Sequence, residues 1–486
     1  MNVCLDGKYI IDRGLLMNNI ITKIHNLIKN TDNLIAFEES IKHLMEETFT
    51  KLVSDAFVHM NEPTKEKAQK ENHKVVRNHE KRTIDFSFGA VTYYRTSFKH
   101  KQTNENFYRL DNLLGIRPNQ RYSPFVEVKA AELASESDYR EAARILEEWT
   151  PVTISHTTIG EIVKRVGQAQ AEADKLLVDE LDIADYLPEG KQVNFLYAEA
   201  DGVFVRGTNK KKHHEVYHGI TYEGWAKNGE RVSLVNPRVM LTTQGVNDFW
   251  KEVQASTTFK YSLENTQIIT NSDGGPGYAA ERFEEAFSQS HHTVLNQLDD
   301  YHIKQAINRA FGWNKSEFKN NIQSAITNKD KDTFVLWTDT FESTLEKPKE
   351  IKKLSVFRTY ILNHWDRIFD WRKIIKNAPK DARSLGCIES RQRYISFRMK
   401  KRGMHWSLVG AEAMVKVKQG ILNGTLREVY LEQQKRSKRK QREIKKTVHK
   451  SHYFKQTKHA NNSRQGSISL YSAHSSAVGR LLKSIT

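Results

Sequence analysis

The chain has 486 residues, with 76 Lys plus Arg against 59 Asp plus Glu and a formal charge of +17. Hydrophobic residues make up 38% of it, enough for real cores, so wholesale disorder is excluded; the length alone suggests about two to four domains. No run approaches the ~18 apolar residues of a membrane helix. Only Cys4 and Cys387 are present, which excludes a disulfide scaffold or a cysteine zinc site and makes a reducing cytosol the default. The start, MNVCLDGKYIIDRG, has no basic segment followed by an apolar stretch, so no signal peptide is expected, and Met17 could equally be the first residue. The excess of bases points to a polyanion, most simply nucleic acid.

Residues 15–60 predict helix. Leu15, Leu16, Ile20, Ile24, Leu27 and Ile28 keep helical spacing, as do Ile41, Leu44, Met45, Leu52 and Val53. A helical hairpin packed on itself and a dimerisation arm both fit. The segment TIDFSFGAVTYYRTSF, 83–98, alternates around Gly89 and predicts a β-hairpin. Residues 123–166 predict packed helices. SDYREAARILEEW is amphipathic and stops at Pro151, and Ser155 is placed to cap a helix beginning at TISHTTIGEIVKRVG. The pair fits a helix-turn-helix, with His156, Thr157, Thr158, Lys164 and Arg165 facing DNA, but it equally fits an ordinary helical hairpin.

From 190 the pattern changes to strands. QVNFLYAEADGVFVRG, HEVYHGITYEGW and RVSLVNPRVMLTTQ each predict one. They are followed by helix, the strand TQIITNSDGG, helix, and the strand HTVLNQLDDYHI leading into helix. That order predicts an α/β domain with mixed pairing. Residues 313–385 then predict helix throughout, and helix resumes from 386 to 401 and from 407 to about 438. The end is basic, then Ser-rich, with the composition of a disordered tail.

No GxxxxGK[ST], GxSxG or HExxH pattern occurs, so nucleotide hydrolysis, serine-esterase chemistry and a zincin site have no support. The carboxylates are more informative. Tyr197, Glu199, Asp201 and Val203 share one face of a strand, and a mid-strand acid is costly to bury unless paired or bound to a cation. Asp273 ends another apolar strand before a Gly-rich turn, where it serves either an Asx-turn or a ligand site. Acids converging from strand ends are what two Mg²⁺ ions require. Glu389 begins a helix that carries Arg391, Arg393, Arg398, Lys400, Lys401 and Arg402, read either as a solvated basic helix or as a carboxylate brought to metals with its bases along a phosphate backbone.

The chain resembles the bacterial insertion-sequence transposases of the ISLre type, in the DDE group with a ribonuclease H-like core. The resemblance runs through FGAVTYYRTSF, LDNLLGIRPNQRYSP, ELASESDYREAARILEEWTPVTISHTTIGEIV, AEADGVFV, TYEGW, NSDGG, QLDDYHI and GCIESRQRYISFRMKKRGMHWS. It implies Asp201, Asp273 and Glu389 as catalytic residues and ligands of two Mg²⁺ (or Mn²⁺) ions, with Asp299 and His302 beside the site. Glu412 and the acids of 313–385 share the interval in which the third acid falls.

It further implies cleavage at element ends and transfer of the freed 3′-OH into target DNA. The partners would be terminal inverted repeats and target duplex, bound by a homo-oligomer of at least two protomers, in the cytoplasm at the nucleoid and away from membranes. The competing expectations are a non-catalytic DNA-binding protein or decayed transposase, and a ribonuclease H-like nuclease acting on structured nucleic acid.

The expected fold is multidomain α+β: N-terminal helices (1–70), a β-hairpin segment (71–110), a helix-turn-helix region (111–180), a ribonuclease H-like core (190–312 and 386–430) interrupted by a helical insertion (313–385), and a basic tail (431–486). The charge is concentrated rather than global. Residues 435–458 hold eleven Lys or Arg against the single acid Glu443, and residues 391–402 hold six bases and no acid. DNA contact is therefore expected on that helix and on the tail.

Overall fold

The computed structural model describes residues 13–436, apart from 72, 100–105, 210–211 and 313–315. The basic tail beyond Arg436 and the Ser-rich end lie outside the described residues.

Two helices open the chain, α1 (Arg13–Asn30) and α2 (Leu34–Lys70), with Asn33 capping α2 through Ala36 N. The helical spacing over 15–60 is matched by helix, yet Met17, Ile21, Ile28, Met45 and Phe49 remain exposed. Next comes an antiparallel sheet of β1 (Lys74–Phe86), β2 (Gly89–Lys99) and β3 (Asn106–Tyr108). Gly89 closes the hairpin at φ +139°, and a Cβ there would sit 2.2 Å from Thr50 Oγ1 on α2, so the turn needs glycine.

Helices α3 (Arg109–Leu114), α4 (Pro124–Glu136), α5 (Tyr139–Trp149) and α6 (His156–Asp182) follow. Ser123, Asp138 and Ser155 each accept a backbone N–H at the start of the last three. The helix-turn-helix expectation meets a different geometry here. The α5–α6 connection runs from Thr150 to Ser155, longer than the 3–4-residue turn of that motif. Helix α6 has 27 residues and buries Ile159, Ile162, Val163 and Val166 along one face, so it is a core helix whose other face, with Glu161, Lys164 and Gln168, stays exposed.

The strand region comprises β4 (Lys191–Gln192), β5 (Phe195–Arg206), β6 (His213–Tyr222), β7 (Gly224–Asn228), β8 (Arg231–Val235) and β9 (Arg238–Thr242). These are followed by α7 (Val246–Thr258), β10 (Tyr261–Ser262), β11 (Gln267–Ser272), α8 (Ala280–Ala286) and β12 (Leu295–Leu298). RVSLVNPRVMLTTQ, expected as one strand, is two, broken at Asn236 with φ +48°. The five-stranded sheet has the order β12-β11-β5-β6-β9, with β5 parallel to β11, β11 parallel to β12, and both β6 pairings antiparallel. Its faces separate by the period of two. Leu196, Ala198 and Ala200 pack with Phe249, Trp250 and Phe283 of α7 and α8, whereas Tyr197 and Val203 join a core with α6 residues Ile162 and Val166.

The remainder is helical: α9 (Asp300–Phe311), α10 (Glu317–Thr327), α11 (Lys331–Glu342), α12 (Pro348–Asn363), a 3₁₀ turn (Trp365–Arg367) and α13 (Trp371–Ile374). Then come α14 (Cys387–Arg391), α15 (Arg393–Met399), α16 (Leu408–Leu422) and α17 (Leu426–Arg436). Helices α9 to α12 share their own core of Ile303, Ile322, Phe334, Phe357 and Ile361. The helix expected over 386–401 is two pieces meeting at Gln392. The chain is thus a multidomain α/β protein with a mixed sheet, and no described helix is long and apolar enough to cross a membrane.

Candidate metal centre

Strand β5 carries Asp201 in the middle of the sheet. Its neighbour β11 pairs Asn271 with Glu199, and β12 pairs Leu298 with Ser272. Asp201 lies two residues beyond Glu199, Asp273 two beyond Asn271, and Asp299 one beyond Leu298. The parallel register therefore brings all three aspartates to one edge of the sheet, where strand ends leave room for ligands.

Helix α14 lays Glu389 against that edge, and the first turn of α9 adds His302. One ligand atom from each of Asp201, His302 and Glu389 lies within 4.8 Å of the others, and His302 Nε2 is 3.9 Å from Asp201 Oδ2. Two carboxylates and an imidazole at this spacing are a donor set that fits a divalent cation. Gln392 donates its amide to Asp201 Oδ2, and Gly202 N donates to Oδ1 at 2.6 Å. Burial and then the charge of Asp201 push the Glu389 carboxyl up, while the neighbouring Asp201 carboxylate holds the His302 imidazole above its ordinary value against the opposing effect of burial.

Asp299 supports this group from behind. It is 4% exposed, accepts Asn271 Nδ2 at 2.9 Å, and caps α9 through Tyr301 N at 2.7 Å, which fixes the turn bearing His302. Burial raises its carboxyl. Asp273 stands apart. Its Oδ1 accepts Gly275 N at 2.8 Å, an Asx-turn contact, and it is not part of the close group, although its charge reaches His302. The helical segment grips its loop: Tyr360 Oη donates to Asp273 O at 2.9 Å and Arg367 to Ser272 Oγ at 2.8 Å. Gly274, at φ +78°, leaves no space for a Cβ beside His364 and Arg367. Glu412, which competed for the third position by sequence interval, is elsewhere. It is buried and accepts from Thr242 Oγ1, Thr243 N and Thr243 Oγ1.

Three of the bases expected on DNA have other partners. Arg398 is 2% exposed, donates to Ala134 O at 2.8 Å and stacks over Tyr139 and Trp406, so as folded it is a packing residue. Arg165 is tied to the buried carboxylate of Glu127 at 2.6 Å. Lys164 pairs on the surface with Glu161, and His156 and Thr157 are exposed while Thr158 is half-buried beside the Ser155 cap. Arg393, Lys400, Lys401 and Arg402 are exposed, with Arg391 half-buried.

Sequence reasoning put Glu199 on the face of Asp201 without giving it a role, and missed Gln392 and His218. Glu199 is 1% exposed on the same strand face as Asp201, and His218 is the cross-strand partner of Asp201. The period of two already aligned Glu199 with Asp201; the pairing with His218 needed the register.

The model of the "Uncharacterised protein family (UPF0236)" matches residues 27–435. The UPF0236 protein in the vanSb 3′ region of Streptococcus gallolyticus is 32% identical over 417 residues, covering 85% of this chain and 88% of that one. A UPF0236 protein of Caldanaerobacter subterraneus subsp. tengcongensis, whose name joins eleven locus designations, is 23% identical over 87% of this chain and 86% of its own. These matches correct the resemblance to ISLre-type transposases and the DDE group: the family that matches, and the relatives' names, carry neither description. The chain belongs to the UPF0236 family.

Proposed function

We propose that the protein cleaves and rejoins DNA phosphodiesters with divalent-metal assistance, as a transposase does, at the centre formed by Asp201, His302 and Glu389. The observation that carries this reading is the convergence of those three side chains, from a strand and two separate helices, within 4.8 Å. The sheet order, with Asp201 on its middle strand and Asp273 after the adjacent one, supports a ribonuclease H-like arrangement. The eleven locus designations joined in one relative's name lend further support, since a coding sequence that copies itself between sites recurs in a genome.

Asp201 and Glu389 supply hard oxygen donors and His302 a nitrogen donor, while Asp273 at the neighbouring strand end is available to a second ion. Mg²⁺ or Mn²⁺ held by these residues would supply Lewis acidity for phosphodiester chemistry. Gln392 holds the Asp201 carboxylate in place, and Asp299 holds the turn of His302. Exposed Arg393, Lys400, Lys401 and Arg402 give the DNA backbone sequence-independent contacts. Incubation of the full chain with duplexes containing the flanking DNA of its own gene, in Mg²⁺ or Mn²⁺, tests the reading. Metal-dependent nicking lost in Asp201→Ala and Glu389→Ala is expected; wild-type nicking by both variants would sink it.

A further inference from the structure

Glu199 does not belong to the group of three, yet it is the residue through which two of them are tied together. Its side chain leaves β5 on the same face as Asp201, and its carboxylate is almost wholly removed from water. Oε1 accepts Tyr222 Oη at 2.6 Å; Oε2 accepts Gly386 N at 3.1 Å and Ile388 N at 3.0 Å. Those two N–H groups belong to the start of α14, the helix whose third residue is Glu389. They are donors the helix itself cannot satisfy. Gly386 reaches this position at φ +116°, a conformation that favours glycine. The thiol of Cys387 also leans on Glu199; burial and then Glu199 keep it protonated. Acceptor oxygens buried this deeply need donors, and here two of the donors are backbone N–H groups of the segment that presents Glu389.

We propose that Glu199 is a positioning residue of the metal centre: by clamping the Gly386–Ile388 backbone to β5 it fixes Glu389 relative to Asp201 on the same strand. The inference rests on the metal-centre reading above. A simple helix cap anywhere would contribute only to stability. This one also sets the separation of two ligands contributed by segments far apart in the chain. Positions supporting ligands in this way typically cost ~10–100-fold in metal affinity when altered.

The test is Mn²⁺ binding to the full-length protein without DNA, read by the loss of the free-ion electron paramagnetic resonance signal. Thermal melting is recorded on each sample. Glu199→Gln keeps the shape but has one acceptor oxygen for three donors; we expect a folded protein with Mn²⁺ affinity ~10–100-fold weaker. Tyr222→Phe, which frees only Oε1, should weaken it in the same direction by less. Ile84→Ala, in the separate core of the three-stranded sheet, should lower the melting temperature and leave Mn²⁺ affinity unchanged. Wild-type affinity in Glu199→Gln, while Asp201→Asn and Glu389→Gln lose binding, overturns the role of Glu199 and leaves the metal centre standing. Should Glu199→Gln fail to fold, Tyr222→Phe decides the matter by the same criterion. Wild-type affinity in Asp201→Asn and Glu389→Gln would instead overturn the centre itself.

Discussion

His302 Nε2 lies 3.9 Å from Asp201 Oδ2, although one residue opens a helix and the other sits in mid-strand. The contact gives the site a nitrogen donor next to two carboxylates. Imidazole suits transition metals, whereas Mg²⁺ prefers oxygen ligands and retained water. His302→Ala should therefore weaken Mn²⁺ binding by ~10-fold or more and leave the weaker Mg²⁺ binding nearly unchanged. Competition of the two ions, followed by titration calorimetry on wild type and variant, measures the ratio. Equal losses for both ions would remove His302 from the ligand set.

His218 faces Asp201 across the β5–β6 register and is fully buried, with its Nδ1 unpartnered. Burial lowers its pKa to about 4. It is thus neutral in the folded protein and charges readily once unfolded. The lowered value makes its contribution to stability complete above the ordinary value of about 6.5 and lost as the pH falls toward 4. At pH 5 the loss amounts to about 2 kcal/mol. Metal-free wild type should melt progressively lower between pH 7 and pH 5. His218→Asn should flatten that slope, whatever its absolute stability. An unchanged slope in the variant assigns the acid sensitivity to other groups.

Much of this could be read from residues alone, and the failures have physical causes. The hairpin around Gly89, the strand bearing Asp201 and most of the helical run after 313 follow from local period and turn chemistry, and the structure has them, although the run expected to 385 is helical only as far as Ile374. The special position of Glu389 was visible only as an acid among bases. That it meets Asp201, and that Glu412 does not, depends on long-range packing that no local pattern encodes. The same is true of Arg398. As a base on a helix rich in bases it has the sequence signature of a phosphate contact, and only tertiary structure reveals that its guanidinium lies over the rings of Tyr139 and Trp406. The α5–α6 pair differs again: caps and stops were legible, but the burial of α6 against distant residues was not.

The two kinds of base on α15 and the segment after it should separate in experiment. Lys400, Lys401 and Arg402 are exposed. Changing all three to Ala should weaken DNA binding and reduce the slope of log affinity against log salt by ~0.9 for each phosphate that is no longer neutralised. Melting should barely change. Arg398→Ala should do the reverse: it removes a buried hydrogen bond and two stacking partners, lowering stability while the salt slope stays put. Fluorescence anisotropy at several salt concentrations, with melting curves on the same samples, distinguishes them. A salt slope reduced by Arg398→Ala and untouched by the triple variant would reverse the assignment.

The interior also contains a charged group remote from chemistry. Lys416 of α16 is fully buried, with Nζ 2.7 Å from Asp174 Oδ2 on α6 and 2.6 Å from Glu252 Oε2 on α7. Burial works against its charge, but Asp174 and Glu252 outweigh it and hold the ammonium above its usual value. Two acids share one base, and burial leaves Glu252 raised. Lys416→Met removes the base and keeps the bulk, so both carboxylates are left without their counter-charge. The expected cost is about 3–5 kcal/mol, because a broken buried pair leaves an uncompensated charge. The pH dependence has a definite sign. An acid raised in the folded state favours folding while it is protonated, so stability falls as the pH rises above its unfolded value of about 4.5. Without Lys416 that fall should steepen between pH 5 and pH 8. Restoring balance with Lys416→Met plus Glu252→Gln should recover part of the loss and flatten the curve. Denaturant unfolding across that pH range measures both effects, and a single variant as stable as wild type at pH 8 would remove Lys416 from the forces that hold α6, α7 and α16 together.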